Sequence, residues 1–171
     1  ISAWHYASRP RLAVARREHD AFVARLRDAG AEVLQHDGPQ PGRADSIFVH
    51  DPAIVTDVGA ILLRMGKALR RGEEESMGER LESVGIPILG RLTGNATAEG
   101  GDLLWLDHDT IAAGQGFRTN AKGLGQLKAS RSPLRVQMIR VPLPFFQGPE
   151  ACLHLMSLIS LLDHDIAVVY P

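Results

Sequence analysis

The sequence predicts an α/β fold assembled from a repeated ββαβ unit, and three observations carry that expectation. The turn Leu106-Asp107-His108-Asp109 recurs as Leu162-Asp163-His164-Asp165, 56 residues on (106 to 162). Both copies sit between apolar runs, LLW and TIAA around the first, SLISL and IAVV around the second. A looser copy, AIVTDVGAILL at 53–63, places Asp57 50 residues ahead of Asp107. Each reads as a β-hairpin with an Asp/His or Asp/Gly turn. Recurrence at a long period points to one supersecondary unit used several times.

The elements follow in order. Ala3 to Tyr6 reads as the remnant of a first hairpin. Val14 to Ala29 has the spacing of a helix with Phe22, Val23 and Leu26 inward and Gly30 as its stop, followed by a strand from Glu32 to Gln35. After the hairpin at 53–63, Glu74 to Val84 carries Met77, Leu81 and Val84 on one helical face, and Gly85 ends it. A strand from Ile86 to Leu89 comes next. After the second hairpin, Thr119 or Asn120 can cap a helix bearing Ala121, Leu124 and Leu127. The strand Arg135 to Val141 is stopped by Pro142 and Pro144, and a last hairpin closes the sequence. The unit is interrupted at both ends. The expectation is therefore one partial domain over residues 1–171, lacking C-terminal units, from a longer protein.

Composition narrows the function classes. The 171 residues are 44 % apolar, enough for one domain with a sizeable core. Nineteen Lys and Arg against 20 Asp and Glu argue against a nucleic-acid or membrane-surface partner. The apolar-leaning stretch from Leu153 to Leu162 is interrupted by His154 and Ser157 and is too short to span a bilayer. The single cysteine, Cys152, excludes an internal disulfide and fits a reducing, cytoplasmic setting.

Five short segments hold residues able to do chemistry. DSIFVHDP (45–52) combines Asp45, Phe48, His50 and Asp51, either as a binding edge or as an ordinary Asp-Pro turn. In AEGGD, Glu99 precedes two glycines that permit close backbone approach. It is followed by the apolar run Leu103 to Leu106, so it reads as a partly desolvated carboxylate or as a solvated turn acid. Arg118-Thr119-Asn120 stands at a helix start, where a guanidinium and exposed N–H groups suit an anion. Arg70 and Arg71 are a second anion contact or a solvated face. His154, between two leucines, is a general acid/base or a core histidine. No metal motif is present, and the Asp-His-Asp triplets read as turns, so neither metal nor cofactor is expected.

Taken in order, DSIFVHDPAIVT, RRGE, EGGD, GFRTN and LHL resemble the guanidine-modifying pentein enzymes, chiefly the dimethylarginine dimethylaminohydrolases, with arginine deiminases and amidinotransferases as cousins. The resemblance implies a propeller of five ββαβ units around a central site, of which about three are present here. It implies that Asp51 holds a guanidinium, with Asp45 a second acid and Phe48 a further contact. Glu99 is implied to pair with the catalytic histidine or the guanidinium, His154 to be the general acid/base, and Arg70 and Arg118 to anchor an α-carboxylate. The implied reaction is hydrolysis of (methyl)arginine to citrulline and an amine through a cysteine adduct. The cysteine would lie outside this chain, so the 171 residues alone would be inactive. His50 stands where dimethylarginine-specific relatives carry an acid, which keeps plain arginine open as substrate. A guanidine is the expected small-molecule partner, with a homodimer as an option. Amidino transfer and non-catalytic guanidine binding are the rival functions.

Overall fold

A computed structural model describes residues 2–38, 40–129, 134–144, 148 and 153–170. They fall into two compact units, 1–39 and 40–171. In the first, α1 (Leu12–Asp28) ends with Arg25 and Arg27 in its last turn, where cations suit the negative end of the helix dipole. Gly30, at φ +91°, then turns the chain. Val23 is buried and Leu26 half-buried, but Phe22 is 62 % exposed. Successive helical residues point about 100° apart, so a narrow apolar stripe takes Val23 and leaves Phe22 outside. The expected hairpin remnant at Ala3 to Tyr6 is instead a 3-10 turn over Ser2–Trp4. Glu32 to Gln35 joins no ladder among the described residues, because an extended segment becomes a strand only with a partner.

The second unit contains the repeat. β1 (Ala53–Thr56) and β2 (Gly59–Leu62) form an antiparallel hairpin, and β3 (Ile88–Arg91) adds in parallel to β2 after α2 (Glu73–Ser83). β4 (Leu103–Trp105), β5 (Thr110–Gln115), α3 (Ala121–Lys128) and β6 (Gln137–Pro142) repeat the scheme. The resulting orders, β1-β2-β3 and β4-β5-β6, are the same ββαβ unit twice. β7 (Ile159–Asp163) and β8 (Ile166–Val169) pair as a final antiparallel hairpin. The Asp turns are built as the residue types suggest: the Asp109 N–H donates to Asp107 Oδ1, and the His164 N–H to Asp163 Oδ1.

Helix boundaries follow local chemistry. Three glutamates, Glu73 to Glu75, occupy the first turn of α2, and Gly85 at φ +85° ends it. β3 starts two residues later than expected because the Ile86 N–H is taken by Leu81 O of the helix end and Pro87 has no N–H to give. Asn120 caps α3, accepting the Gly123 N–H at 2.8 Å.

One core joins the two three-stranded sheets. Ile54, Ile61 and Leu63 from the first repeat pack with Leu103, Ile111, Leu124, Leu127 and Met138 from the second. A smaller cluster of Leu104, Ala112 and Leu155 ties the second sheet to the segment before β7. Full burial of one such leucine contributes about 2 kcal/mol. This packing fixes the loops at one end of the strands, where the charged residues gather.

Candidate functional site

The run from Asp45 to Pro52 is a chain of tight turns. The Phe48 N–H donates to Asp45 O and the Asp51 N–H to Phe48 O. These turns deliver Asp51 to the start of β1 at 6 % exposure. Both of its oxygens are occupied. Oδ1 accepts the Gly101 N–H at 2.9 Å, and Oδ2 accepts Arg70 Nη1 at 2.6 Å.

Glu99 is the centre of the arrangement. Its side chain is fully buried, and four donors converge on it. Oε1 accepts the Gly66 and Lys67 N–H groups at 2.9 and 3.0 Å. Oε2 pairs with Arg118 Nη1 at 2.9 Å and His154 Nε2 at 2.8 Å. Burial alone would push the carboxyl pKa up. The His154 hydrogen bond, the Arg118 charge and the Lys67 amide outweigh it and bring it down to about 2. An ionised Glu99 accepts only, so His154 Nε2 must carry a proton. Burial works against a charged His154, but its bond to Glu99 and the fields of Asp51, Asp102 and Glu99 raise its pKa above the ordinary imidazole value. Nδ1 is left as the ring atom that can trade a proton with a ligand.

The glycines of EGGD have separate duties. A Cβ on Gly100 would stand 2.1 Å from His50 O, so backbone runs against backbone there. A Cβ on Gly101 would lie 2.8 Å from His154 Nδ1 and 3.1 Å from Asp51 Oδ1. Gly101 therefore keeps open the space beside the two groups with proton-transfer or cation-binding capacity. Because only side chains obstruct it, Gly101→Ala is expected to fold with unchanged circular dichroism while lowering turnover at least about tenfold. Full activity would show that the space is not used.

A buried strut supports the histidine. The Glu99 N–H donates to Thr119 Oγ1 at 3.1 Å, which sends the single Thr119 proton to Asp102 Oδ2 at 2.6 Å. Asp102 Oδ1 accepts the Leu155 N–H at 3.0 Å, one residue from His154. Burial pushes the Asp102 pKa up, yet both its oxygens act as acceptors. Thr119 is 0 % and Asp102 1 % exposed. The strut thus links the acid loop, the turn before α3 and the histidine segment.

Around this centre lie the other expected residues. Arg70 is 2 % exposed and forks onto Glu73, with Nε and Nη2 donating at 3.0 and 2.7 Å to Oε2. Its Nη2 also reaches Phe48 O at 3.1 Å, and the guanidinium carbon sits 5.8 Å from the Phe48 ring. Phe48 itself is half exposed. Asp45 pairs with Lys67 Nζ at 2.5 Å, both side chains mostly buried.

All seven candidates, Asp45, Phe48, Asp51, Arg70, Glu99, Arg118 and His154, therefore belong to one connected network. Sequence reasoning gave no site role to Lys67 or Asp102 and read Thr119 only as a possible helix cap. Asp102 stands inside the EGGD motif and Thr119 inside RTN, which is the signal that was available. Cys152 lies outside the described residues. Asp51, Glu99 and His154 offer ligand atoms within 4.8 Å of one another, and Arg70 and Arg118 already pair with the two carboxylates. A separate cavity of about 590 Å³, lined by Val55, Val58, Trp105 and Leu134 among others, includes none of these seven residues.

Repeated ββαβ sheets with an acid, arginine and histidine cluster at their loop ends define a mixed α/β protein of pentein type. The structural likenesses agree. A variant of the dimethylarginine dimethylaminohydrolase of Pseudomonas aeruginosa complexed with citrulline matches with a TM-score of 0.80 and 28 % identity, covering 96 % of this chain and 61 % of that one. A dimethylarginine dimethylaminohydrolase adduct with S-methyl-L-thiocitrulline matches with a TM-score of 0.77 and 28 % identity, covering 95 % of this chain and 61 % of that one. Residues 5–171 match the family model described as N,N dimethylarginine dimethylhydrolase, eukaryotic, and the chain belongs to that family. The Streptomyces coelicolor dimethylarginine dimethylaminohydrolase is 34 % identical over 87 % of this chain and 54 % of the relative. The Pseudomonas aeruginosa one is 31 % identical over 94 % and 60 %. The chain thus spans a little over half the length of these relatives.

Proposed function

We propose that the protein hydrolyses the guanidine group of a methylated arginine, giving citrulline and an amine. The observation that carries this reading is Glu99, fully buried, ionised and 2.8 Å from a histidine whose pKa it raises. Asp51 and Glu99 form the acidic wall for a planar cation. A cysteine thiolate, contributed by sequence outside these 171 residues, attacks the guanidinium carbon. As the C–N bond breaks, His154 gives its Nδ1 proton to the departing amine. Water then adds to the thiouronium carbon, His154 takes a proton from it, and the thiolate leaves as citrulline forms.

Arg118, 17 % exposed, is the guanidinium that a ligand carboxylate can reach. Arg70 acts here by holding Asp51. Direct contact with a ligand would require it to release Asp51 or the Phe48 carbonyl.

On the same reading, the chain supplies about three sectors of a five-sector propeller forming one domain. Two sectors are complete, and β7–β8 opens a third. Support comes from the matching sheet orders and from coverage of 54 % and 60 % of the relatives. A thiolate nucleophile fits a reducing compartment, and a cytoplasmic setting is part of this reading. No helix among the described residues is long and apolar enough to cross a membrane.

Incubating the full-length protein with asymmetric dimethylarginine tests the reaction. Citrulline and dimethylamine are expected in equal amounts. Ammonia from arginine, with no dimethylamine from the methylated compound, would move the assignment to arginine deimination. That is the activity named for a Bacillus cereus relative 29 % identical over 72 % of this chain and 32 % of its own length.

A further inference from the structure

His154 is held at two places. Its Nε2 donates to Glu99 Oε2 at 2.8 Å, and the backbone N–H of the next residue, Leu155, donates to Asp102 Oδ1 at 3.0 Å. Both holds lead back to one hydroxyl. Thr119 Oγ1 accepts the Glu99 N–H at 3.1 Å and donates to Asp102 Oδ2 at 2.6 Å. These bonds and the side chains between them close a ring through Thr119, Glu99, His154 and Asp102. Thr119 is itself anchored. Its carbonyl accepts the Gly116 N–H at 2.9 Å, and the following amide, of Asn120, donates to Thr97 O at 3.1 Å. Gly114 leaves room for the far side of the ring, since a Cβ there would stand 3.1 Å from both Asp102 Oδ1 and Leu155 Cβ. Glu99 and Thr119 are 0 % and Asp102 1 % exposed, so a member that loses its partner has no water to turn to.

We propose that Thr119 is a positioning residue for the hydrolysis, its hydroxyl closing the ring that sets the His154 imidazole against Glu99 and aims Nδ1 at the space beside Gly101. This rests on the hydrolase reading above. Fully buried, Thr119 acts through Glu99 and Asp102. Its place requires a group that accepts from an amide and donates to a carboxylate at once. Serine can do both, and valine, of the same shape as threonine, can do neither. Without the hydroxyl, the Glu99 backbone and the Asp102 carboxylate lose their common tie. The imidazole then loses its fixed direction. A displacement of about 1 Å at a reacting group can cost about 100-fold in rate.

Kinetics of Thr119→Val and Thr119→Ser in the full-length protein with dimethylarginine, together with NMR titration of His154, test this. Thr119→Val is expected to lower kcat at least about tenfold with KM within about threefold of wild type. Thr119→Ser should keep kcat within about threefold. The charged groups facing His154 are Glu99, Asp51 and Asp102, with Arg118 on the same Glu99 oxygen. Neither variant removes any of them, so a fall in the His154 pKa of Thr119→Val reports a loosened bond to Glu99. Asp102→Asn keeps the shape and the Leu155 bond but cannot take the Thr119 proton. It is expected to lower kcat at least about tenfold as well, and it decides the matter if Thr119→Val does not fold. A folded Thr119→Val with kcat within about threefold of wild type, or with an unmoved His154 titration, overturns the proposal and leaves the hydrolase reading intact. An equal loss in Thr119→Ser also overturns it, since packing and not the hydroxyl would then be the cause. No citrulline from the wild-type protein rejects the hydrolase reading, and this inference with it.

Discussion

Replacing His154 by alanine is expected to lower kcat for citrulline formation in the full-length protein by at least about a thousandfold. A positioned acid or base commonly contributes 10²–10⁴-fold, and on the proposed mechanism His154 serves in both halves of the reaction. The binding groups stay: Asp51 keeps Arg70 and the Gly101 N–H, and Glu99 keeps Arg118 and two amides. KM should therefore change by only a few fold. Steady-state kinetics with dimethylarginine, followed by citrulline release, reads both numbers. Residual kcat within tenfold of wild type would remove His154 from the chemistry and return it to the role of a core histidine.

The second large effect is expected from Glu99→Gln. Every polar contact to the Glu99 carboxylate is donated to it, by the Gly66 and Lys67 amides, Arg118 and His154. A glutamine has one acceptor oxygen, so its NH₂ must face donors on one side. It also leaves Arg118 and His154 without their counter-ion. The loss is expected to be about 3 kcal/mol of stability at pH 7, read by chemical denaturation, together with a lower His154 pKa, read by NMR titration.

The pH dependence has a definite sign. Glu99 has a folded pKa of about 2, below its unfolded value of 4.5. Its stabilisation is therefore present above 4.5 and is lost as pH falls toward 2. His154 is raised above 6.5, so its contribution is full below 6.5 and is lost as pH rises through the folded value. Wild-type protein should show both slopes, and Glu99→Gln should lose the acid one. An unaltered acid slope in the variant would mean that other carboxylates carry it.

Much of the repeat was legible because hairpins, helix stops and caps are local. The Asp turns, Gly85 and Asn120 each act on neighbours a few residues away. The hairpins at 53–63, 103–115 and 159–169 and the helices between them sit close to where the pattern put them. The errors arose where local pattern met a tertiary condition. Glu32 to Gln35 has strand composition but no partner, and Phe22 has the right polarity on the wrong side of a narrow stripe. Within the site, residue types were legible and their partners were not. Nothing in RMGK announces that the Gly66 and Lys67 amides will grip a carboxylate 33 and 32 residues away. Thr119 looked like a helix cap, and its hydroxyl in fact spans Glu99 and Asp102.

The convergence on Glu99 also orders events in time. Its hydrogen bonds close gaps of 19 residues to Arg118 and 55 to His154. Hairpins form over a handful of residues, whereas contacts of this span must wait for the chain to collapse around them. The cluster should accordingly be among the last features to appear during folding. A nascent or half-folded chain would carry the acids and the histidine yet have no affinity for a guanidine. Binding of such a ligand would then report that assembly of these segments is complete.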